Sequence, residues 1–218
     1  MILLNFKVYK QTWGDGAIKM AKICKEVMEK TGTEIIPVVS ALDLVRVKEI
    51  MGKNKVYLQN IDGDLDGQYT GKISLKQAQM LGAAGAVINH SENRLKPGTI
   101  LQLLKIWPKE MDSVVCLQTL GQTERWAKNI KPTFIAYEPS YLIGSSDKSV
   151  ATEKPEMVKK IVECCKEVKV LAGAGIKSQD DMEVTKKMGG VGVILASGVI
   201  KAEDPEKVLT QLASVKMK

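Results

Sequence analysis

Ile2-Leu3-Leu4-Asn5-Phe6-Lys7-Val8-Tyr9-Lys10 opens the chain, and together with the helix after it sets the fold class. The apolar run from Ile2 to Val8 reads as a strand and Asp15 to Lys30 as a helix. Within that helix Ala17, Met20, Ala21, Cys24, Val27 and Met28 recur at the spacing of one helical face, and Thr31-Gly32 ends it. A doubly wound open sheet would normally place a G-x-G-x-x-G turn after its first strand. Asn5 to Lys10 contains no glycine at all.

The same strand–helix unit repeats to the end of the chain. Glu34 to Ser40 precedes a helix from Leu42 to Met51, Lys55 to Gln59 precedes Leu75 to Leu81, and Ala86 to Asn89 precedes Thr99 to Trp107. Ser113 to Gln118 precedes a helix around Gln122 to Asn129. Thr133 to Glu138 leads through a long loop to Pro155 to Val168. Lys169 to Ala172 precedes Gln179 to Met188, and Gly192 to Ala196 precedes Pro205 to Val215. Strands alternating with helices imply parallel pairing through right-handed crossovers. Eight such units in 218 residues predict a compact (β/α)8 barrel. No low-complexity linker divides the chain, so residues 1–218 are expected to form one domain.

Composition narrows the function classes. Aromatic residues make up 5%, which suits a core of Val, Ile, Leu, Ala and Met better than a stacking platform for nucleic acid. The net charge of +7 favours anionic partners, but the lysines are dispersed and form no run of five. A small phosphorylated metabolite fits that sign, and no nucleic-acid partner is expected. Cys24, Cys116, Cys164 and Cys165 form no C-x-x-C pair, and one histidine cannot complete a zinc site, so no metal is expected. Unpaired thiols, the absence of a leader before Ile2, and apolar runs too short to span a bilayer point to a cytoplasmic protein without membrane contact.

In a barrel of this type, chemistry gathers at the C-terminal ends of the strands. Asn5 and Lys7 end the first strand, His90 and Glu92 follow the fourth, and Glu138 ends the sixth. His90 is the sole histidine, so any imidazole chemistry must use it; read alone, it is first a hydrogen-bonded structural residue at a strand end. Glu138 follows Phe134-Ile135-Ala136-Tyr137, where an acid is costly unless it is paired or functional. Removing solvent from a carboxylate makes it a better proton acceptor; a structural salt bridge is the alternative. Lys7 could neutralise an anionic substrate, pair with Glu92, or both. Gly173-Ala174-Gly175 and Ala196-Ser197-Gly198 are small-residue turns where backbone N–H groups could approach a phosphate. Pro139 to Ser146 holds Tyr141, Leu142 and Ile143 between Pro, Gly and Ser, a pattern suited to a lid.

Five stretches then match one family in order. Asn5-Phe6-Lys7, Asn89-His90-Ser91-Glu92-Asn93-Arg94, Tyr137-Glu138-Pro139 with Leu142-Ile143-Gly144, Gly173-Ala174-Gly175-Ile176 and Leu195-Ala196-Ser197-Gly198 resemble the triose-phosphate isomerase family. The short length and the Ala-Ser turn are similar to its compact archaeal-type branch. The resemblance implies a TIM barrel that interconverts dihydroxyacetone phosphate and D-glyceraldehyde 3-phosphate through an enediolate, in glycolysis and gluconeogenesis, with no cofactor. It implies that Glu138 moves the proton between the two carbons. Neutral His90, expected at a helix N-terminus, would donate to the carbonyl. Lys7 with Asn5 would supply positive potential and orientation, with Glu92 beside Lys7. Ile143 and Gly144 of the lid would face substrate, and Gly175, Ala196 and Ser197 would present N–H groups to its phosphate. This family is itself the standard case of a glutamate base, a neutral histidine and a closing loop, so that division of labour is inherited from the resemblance.

Some positions depart from the family pattern: Tyr141 stands where many members have Trp, Ser145-Ser146 where they have Thr-Gly, and Ser140 where a second Pro is common. These bear on lid closing and KM, not on the reaction. Gln68-Tyr69-Thr70-Gly71, within Ile61 to Lys72, resembles the segment that reaches into a neighbouring subunit, which implies a homo-oligomer, dimer or tetramer. Ile100, Leu103, Leu104 and Trp107 could join such a contact or form a core-facing stripe. Two rival readings differ in class. A phosphoribosyl-sugar isomerase would place acid pairs on early strands, where this chain has Asn5 and Lys7. A non-catalytic barrel binding RNA or phosphometabolites would have no use for His90 with Glu138.

Overall fold

The computed structural model describes residues 1–127, 131–142 and 148–217, with main chain only at 126 and 127. Its strands are β1 (Ile2–Asn5), β2 (Ile35–Val39), β3 (Tyr57–Leu58), β4 (Gly85–Ile88), β5 (Asp112–Leu117), β6 (Phe134–Tyr137), β7 (Lys169–Gly173) and β8 (Gly192–Leu195). Its helices are α1 (Asp15–Thr31), α2 (Leu44–Met51), α3 (Leu75–Met80), α4 (Pro97–Lys105), α5 (Leu120–Ala127), α6 (Val150–Glu153), α7 (Pro155–Cys164), α8 (Gln179–Lys187), α9 (Ser197–Ile200) and α10 (Pro205–Ser214). The eight strands close a parallel barrel in chain order. Closure is made by β1 on β8, through Ile2 with Val193 and Leu3 with Ile194. The sequence-predicted (β/α)8 architecture is the observed one.

Every strand is apolar on both faces because both faces are buried. Leu3, Ile36, Val38, Tyr57, Val87, Val114, Cys116, Phe134, Ala136, Leu171 and Ile194 point inward and fill the barrel. The alternate residues, such as Ile2, Leu4, Ile35, Ile88, Ile135 and Val193, pack against the helices. The inner packing is tight: a Cβ on Gly85 would lie 2.7 Å from the Tyr57 ring. Only glycine leaves room for that ring.

Several boundaries move, each for a local reason. β1 stops at Asn5 because Lys7 adopts φ +47, which breaks the extended run expected to reach Val8. β3 keeps only Tyr57–Leu58 of the five residues expected. α4 begins earlier, with Pro97 in its first turn where a missing N–H costs nothing, and ends before Trp107. The short helices α6 and α9 lie in stretches that carry too few residues for a periodic signal. Ile100 and Leu103 are buried, while Leu104 and Trp107 pack on the core and the indole N–H donates to the Met111 carbonyl at 2.8 Å. The α4 stripe therefore faces the barrel. Among the described residues no disulfide joins the four cysteines. Among the described residues no helix is long and apolar enough to cross a membrane.

Candidate active site

The inward phase of the strands continues past their C-terminal ends and carries polar groups with it. Leu3 points inward, and so Asn5 does; Ala136 points inward, and so Glu138 does. These residues, with Lys7, His90, Gly175, Ala196 and Ser197, line one cavity of about 190 Å³ at this end of the barrel.

Glu138 is 5% exposed, and its N–H extends the β5–β6 ladder by donating to the Leu117 carbonyl at 2.8 Å. Among the described residues its Oε2 has no hydrogen-bond partner. A buried carboxylate oxygen left unpaired is costly and marks a group with work to do. Gly173 on β7 makes the space it occupies, since a Cβ there would come within 2.5 Å of Glu138 Cγ and 2.9 Å of Ile194 Cγ2. Burial, and then the Glu138 carboxylate, push the Cys116 thiol well above its ordinary range. Cys116 therefore stays a neutral neighbour of the carboxylate.

His90 does not follow the strand phase. Val87 points inward, so the next inward position is Asn89, not His90. Asn89 adopts φ +61, a left-handed conformation that Asn tolerates, and this turn swings His90 into the cavity. The turn is held by three bonds on Asn89: its Nδ2 donates to the Cys116 carbonyl at 2.8 Å, its Oδ1 accepts from Leu95 N–H at 3.0 Å, and its carbonyl accepts from Arg94 at 2.8 Å. The helix start expected at His90 is absent; a short turn at Ser91 and Glu92 leads into irregular chain, and α4 begins at Pro97. The Glu92 N–H instead donates to His90 Nδ1 at 3.2 Å. That bond assigns the proton of a neutral ring to Nε2, which lies 3.7 Å from Glu138 Oε1 across the cavity.

Lys7 reaches the same place from β1. Its Nζ donates to Glu92 Oε1 at 2.7 Å, so both sequence readings of this lysine hold geometrically: it faces the cavity and pairs with Glu92. Its left-handed backbone is pinned on both sides. The Lys7 N–H donates to Asn5 Oδ1 at 3.0 Å, and Gln59 Nε2 donates to the Lys7 carbonyl at 3.0 Å. Strain of this kind persists only where neighbours over-determine it. Gln59 was not among the sequence candidates, although it stands two residues beyond inward-facing Tyr57 and so shares its phase.

At the other side of the cavity, Ala174 and Gly175 both have positive φ, +71 and +77. Among the described residues neither the Gly175 nor the Ile176 N–H meets a carbonyl of the chain. Ser197 and Gly198 open α9, where the first N–H groups have no partner within the helix. Four N–H groups are thus available along one wall. Of the sequence-predicted site, Asn5, Lys7, His90, Glu92, Glu138, Gly175, Ala196 and Ser197 come together. Ile143 and Gly144 lie outside the described residues.

Comparisons with known proteins agree with this arrangement. The family model described as triosephosphate isomerase matches residues 1–214. The triosephosphate isomerase of Methanothermus fervidus is 41% identical over 217 residues, covering 97% of this chain and 96% of the relative. That of Methanothermobacter thermautotrophicus is 38% identical, covering 98% and 94%, and that of Archaeoglobus fulgidus 37%, covering 99% and 97%. A barrel with this cavity at its C-terminal mouth, matched along its whole length by such relatives, belongs to the triosephosphate isomerase family.

Proposed function

We propose that the chain carries out the family's reaction, interconverting dihydroxyacetone phosphate and D-glyceraldehyde 3-phosphate, with Glu138 as the base. The observation that carries this reading is the buried Glu138 carboxylate, whose Oε2 has no hydrogen-bond partner among the described residues and whose Oε1 lies 3.7 Å from the histidine Nε2 across the cavity. A triose seated between them has the carbon beside its carbonyl against Glu138 and the carbonyl oxygen against His90. Glu138 takes the proton from that carbon and returns it to its neighbour, while the hydroxyl proton of the first carbon passes to the former carbonyl oxygen, so that the ketose becomes the aldose. The developing oxyanion receives the Nε2–H of neutral His90 and the positive potential of Lys7, which Asn5 and Glu92 orient. A neutral donor suits an enediolate, as this family has long illustrated. The phosphate is met by the N–H groups of Gly175 and Ser197, with Ala196 beside them. No cofactor or metal takes part.

The partner beyond substrate is a second copy of the chain. Trp13, Leu42 and Tyr69 are exposed apolar side chains on three consecutive loops of the C-terminal face. Asp43 joins the first two loops by accepting from the Gly14 N–H at 3.0 Å. Exposed apolar side chains on neighbouring loops are the kind of surface that a second copy covers, in a homodimer or tetramer. Four cysteines without a disulfide among the described residues support a cytoplasmic location, where thiols stay reduced.

The test is turnover of dihydroxyacetone phosphate in D2O with the product analysed by mass. The expected product carries deuterium on the carbon that Glu138 reprotonates. Absence of turnover, or product with no label at all, would sink the reading.

A further inference from the structure

Asp181 is the third residue of α8. An acid at that position ordinarily faces solvent and returns one bond to the N-cap N–H. Here it is 3% exposed, and both of its oxygens are used. Oδ2 accepts from the Ser178 N–H at 3.0 Å and hydroxyl at 2.9 Å, and also from the Lys177 N–H at 3.0 Å. Oδ1 accepts from the hydroxyl of Ser149, more than thirty residues earlier in the chain. Burying a carboxylate costs several kcal/mol unless it is fully bonded, a cost that a solvent-exposed cap avoids. Helix capping alone therefore leaves the burial unexplained.

The two segments that Asp181 joins are already in close contact. Ser149 is 1% exposed and caps α6 by accepting from the Thr152 N–H at 3.1 Å. The next residue, Val150, donates its N–H to the Ala174 carbonyl at 3.1 Å. A Cβ on Gly175 would fall 2.8 Å from Ser149 Cα and overlap the Lys148 carbonyl oxygen. The 148–150 main chain is thus pressed onto the turn 174–177, which lines the cavity. That turn holds Ala174 at φ +71, a conformation a non-glycine residue keeps only under constraint.

We propose that Asp181 is a positioning residue for phosphate recognition. It clamps the turn 174–178 against residues 148–150 so that the Gly175 and Ile176 N–H groups stay aimed into the cavity. This rests on the isomerase reading of the site. Asp181 touches neither the substrate nor the reacting carbons; its effect is confined to ligands that carry a phosphate.

Asp181→Ala and Asp181→Asn separate this role from a merely structural one. The measurements are KM and kcat on dihydroxyacetone phosphate, competition by inorganic phosphate, and turnover of D-glyceraldehyde, the same carbon frame without phosphate. Loss of the clamp raises KM and the inorganic-phosphate dissociation constant together by about tenfold. Turnover of glyceraldehyde falls at most about twofold, since the base and the histidine are untouched. Asp181→Asn keeps one acceptor and the shape, and recovers most of the affinity. Ser149→Ala removes one donor and raises both constants about threefold; it replaces the alanine variant if that does not fold. Unchanged phosphate affinity, or an equal loss on glyceraldehyde, overturns the proposal. A parent chain inactive on both trioses overturns the isomerase reading instead, and inorganic-phosphate binding still decides the role of Asp181.

Discussion

At the N-terminal mouth of the barrel, Asp112 accepts from the Tyr57 hydroxyl at 2.5 Å and from Lys55 Nζ at 2.7 Å. Ser113 and Thr133 bond each other there through both backbone N–H groups and both hydroxyls, and the amino group of Met1 donates to the Val191 carbonyl. At the C-terminal mouth, by contrast, Glu138 keeps an oxygen without a partner among the described residues. The three non-glycine residues of positive φ described, Lys7, Asn89 and Ala174, all follow strands at that end. At the first end the polar groups just named are paired, and no non-glycine residue of positive φ is found there among the described residues. The other holds strain and an open acceptor, at the place where a substrate would relieve them. Stability and chemistry are separated along the barrel axis, as the fold allows.

Substitutions at the two ends should therefore fail in opposite ways. Glu138→Gln is expected to lower kcat by about 10³-fold or more while melting stays unchanged or rises, because the buried charge is removed without loss of volume. Melting and a coupled assay check this; a variant that keeps its activity breaks the comparison. Gly173→Ala places a methyl group where Glu138 Cγ and Ile194 Cγ2 stand. A base displaced by about 1 Å is expected to lose up to about 100-fold in kcat, with KM little changed. Asp112→Ala does the reverse. It leaves Tyr57 and Lys55 without their acceptor and should cost about 1–3 kcal/mol in a urea titration, with kcat within about twofold of the parent. A kcat that drops as far as the stability would show that the two ends are coupled.

A further difference concerns alkaline pH. Burial pushes the Cys24 thiol up to about 12, and burial followed by the Asp112 carboxylate raises the Tyr57 phenol. Cys116 is raised by burial and by Glu138. In the unfolded chain such thiols release protons from about pH 8.5 and tyrosines from about pH 10. The folded chain holds them longer, so above those values the unfolded state binds fewer protons and stability falls as pH rises. The contribution is full below about pH 8 and is lost progressively toward pH 12. Urea midpoints at pH 7 and pH 10 measure it, and an unchanged midpoint would contradict the burial of these groups.

The strand phase made much of this site legible. Asn5, Glu138 and Gln59 stand two residues beyond Leu3, Ala136 and Tyr57, so period-two alternation alone directs them inward. Gln59 escaped notice because no motif drew attention to it. The small turns after β7 and β8 were readable as places for exposed N–H groups. The reach of α6 and α9 was not, because four residues carry no helical period. Asp181 was invisible for a different reason. The Ser178-x-x-Asp181 spacing marks it as a helix-capping acid, but nothing local shows that it is buried while Asp180 remains exposed.

By itself the sequence determined the barrel, the order of its strands and most of the polar residues at its C-terminal mouth. Those follow from local periodicity, from the pairing rule for parallel strands and from the limited length of the chain. Tertiary structure alone decided where His90 points. Its strand phase directs it outward, and it enters the cavity because Asn89 takes a left-handed turn held by Cys116, Arg94 and Leu95. It also decided the tautomer of that ring and the burial of Asp181. The Asn89 turn draws on Cys116 of the next strand and the burial of Asp181 on Ser149, groups far apart in the chain that meet only when the barrel closes, while the tautomer follows from the nearby Glu92 N–H once that turn has formed.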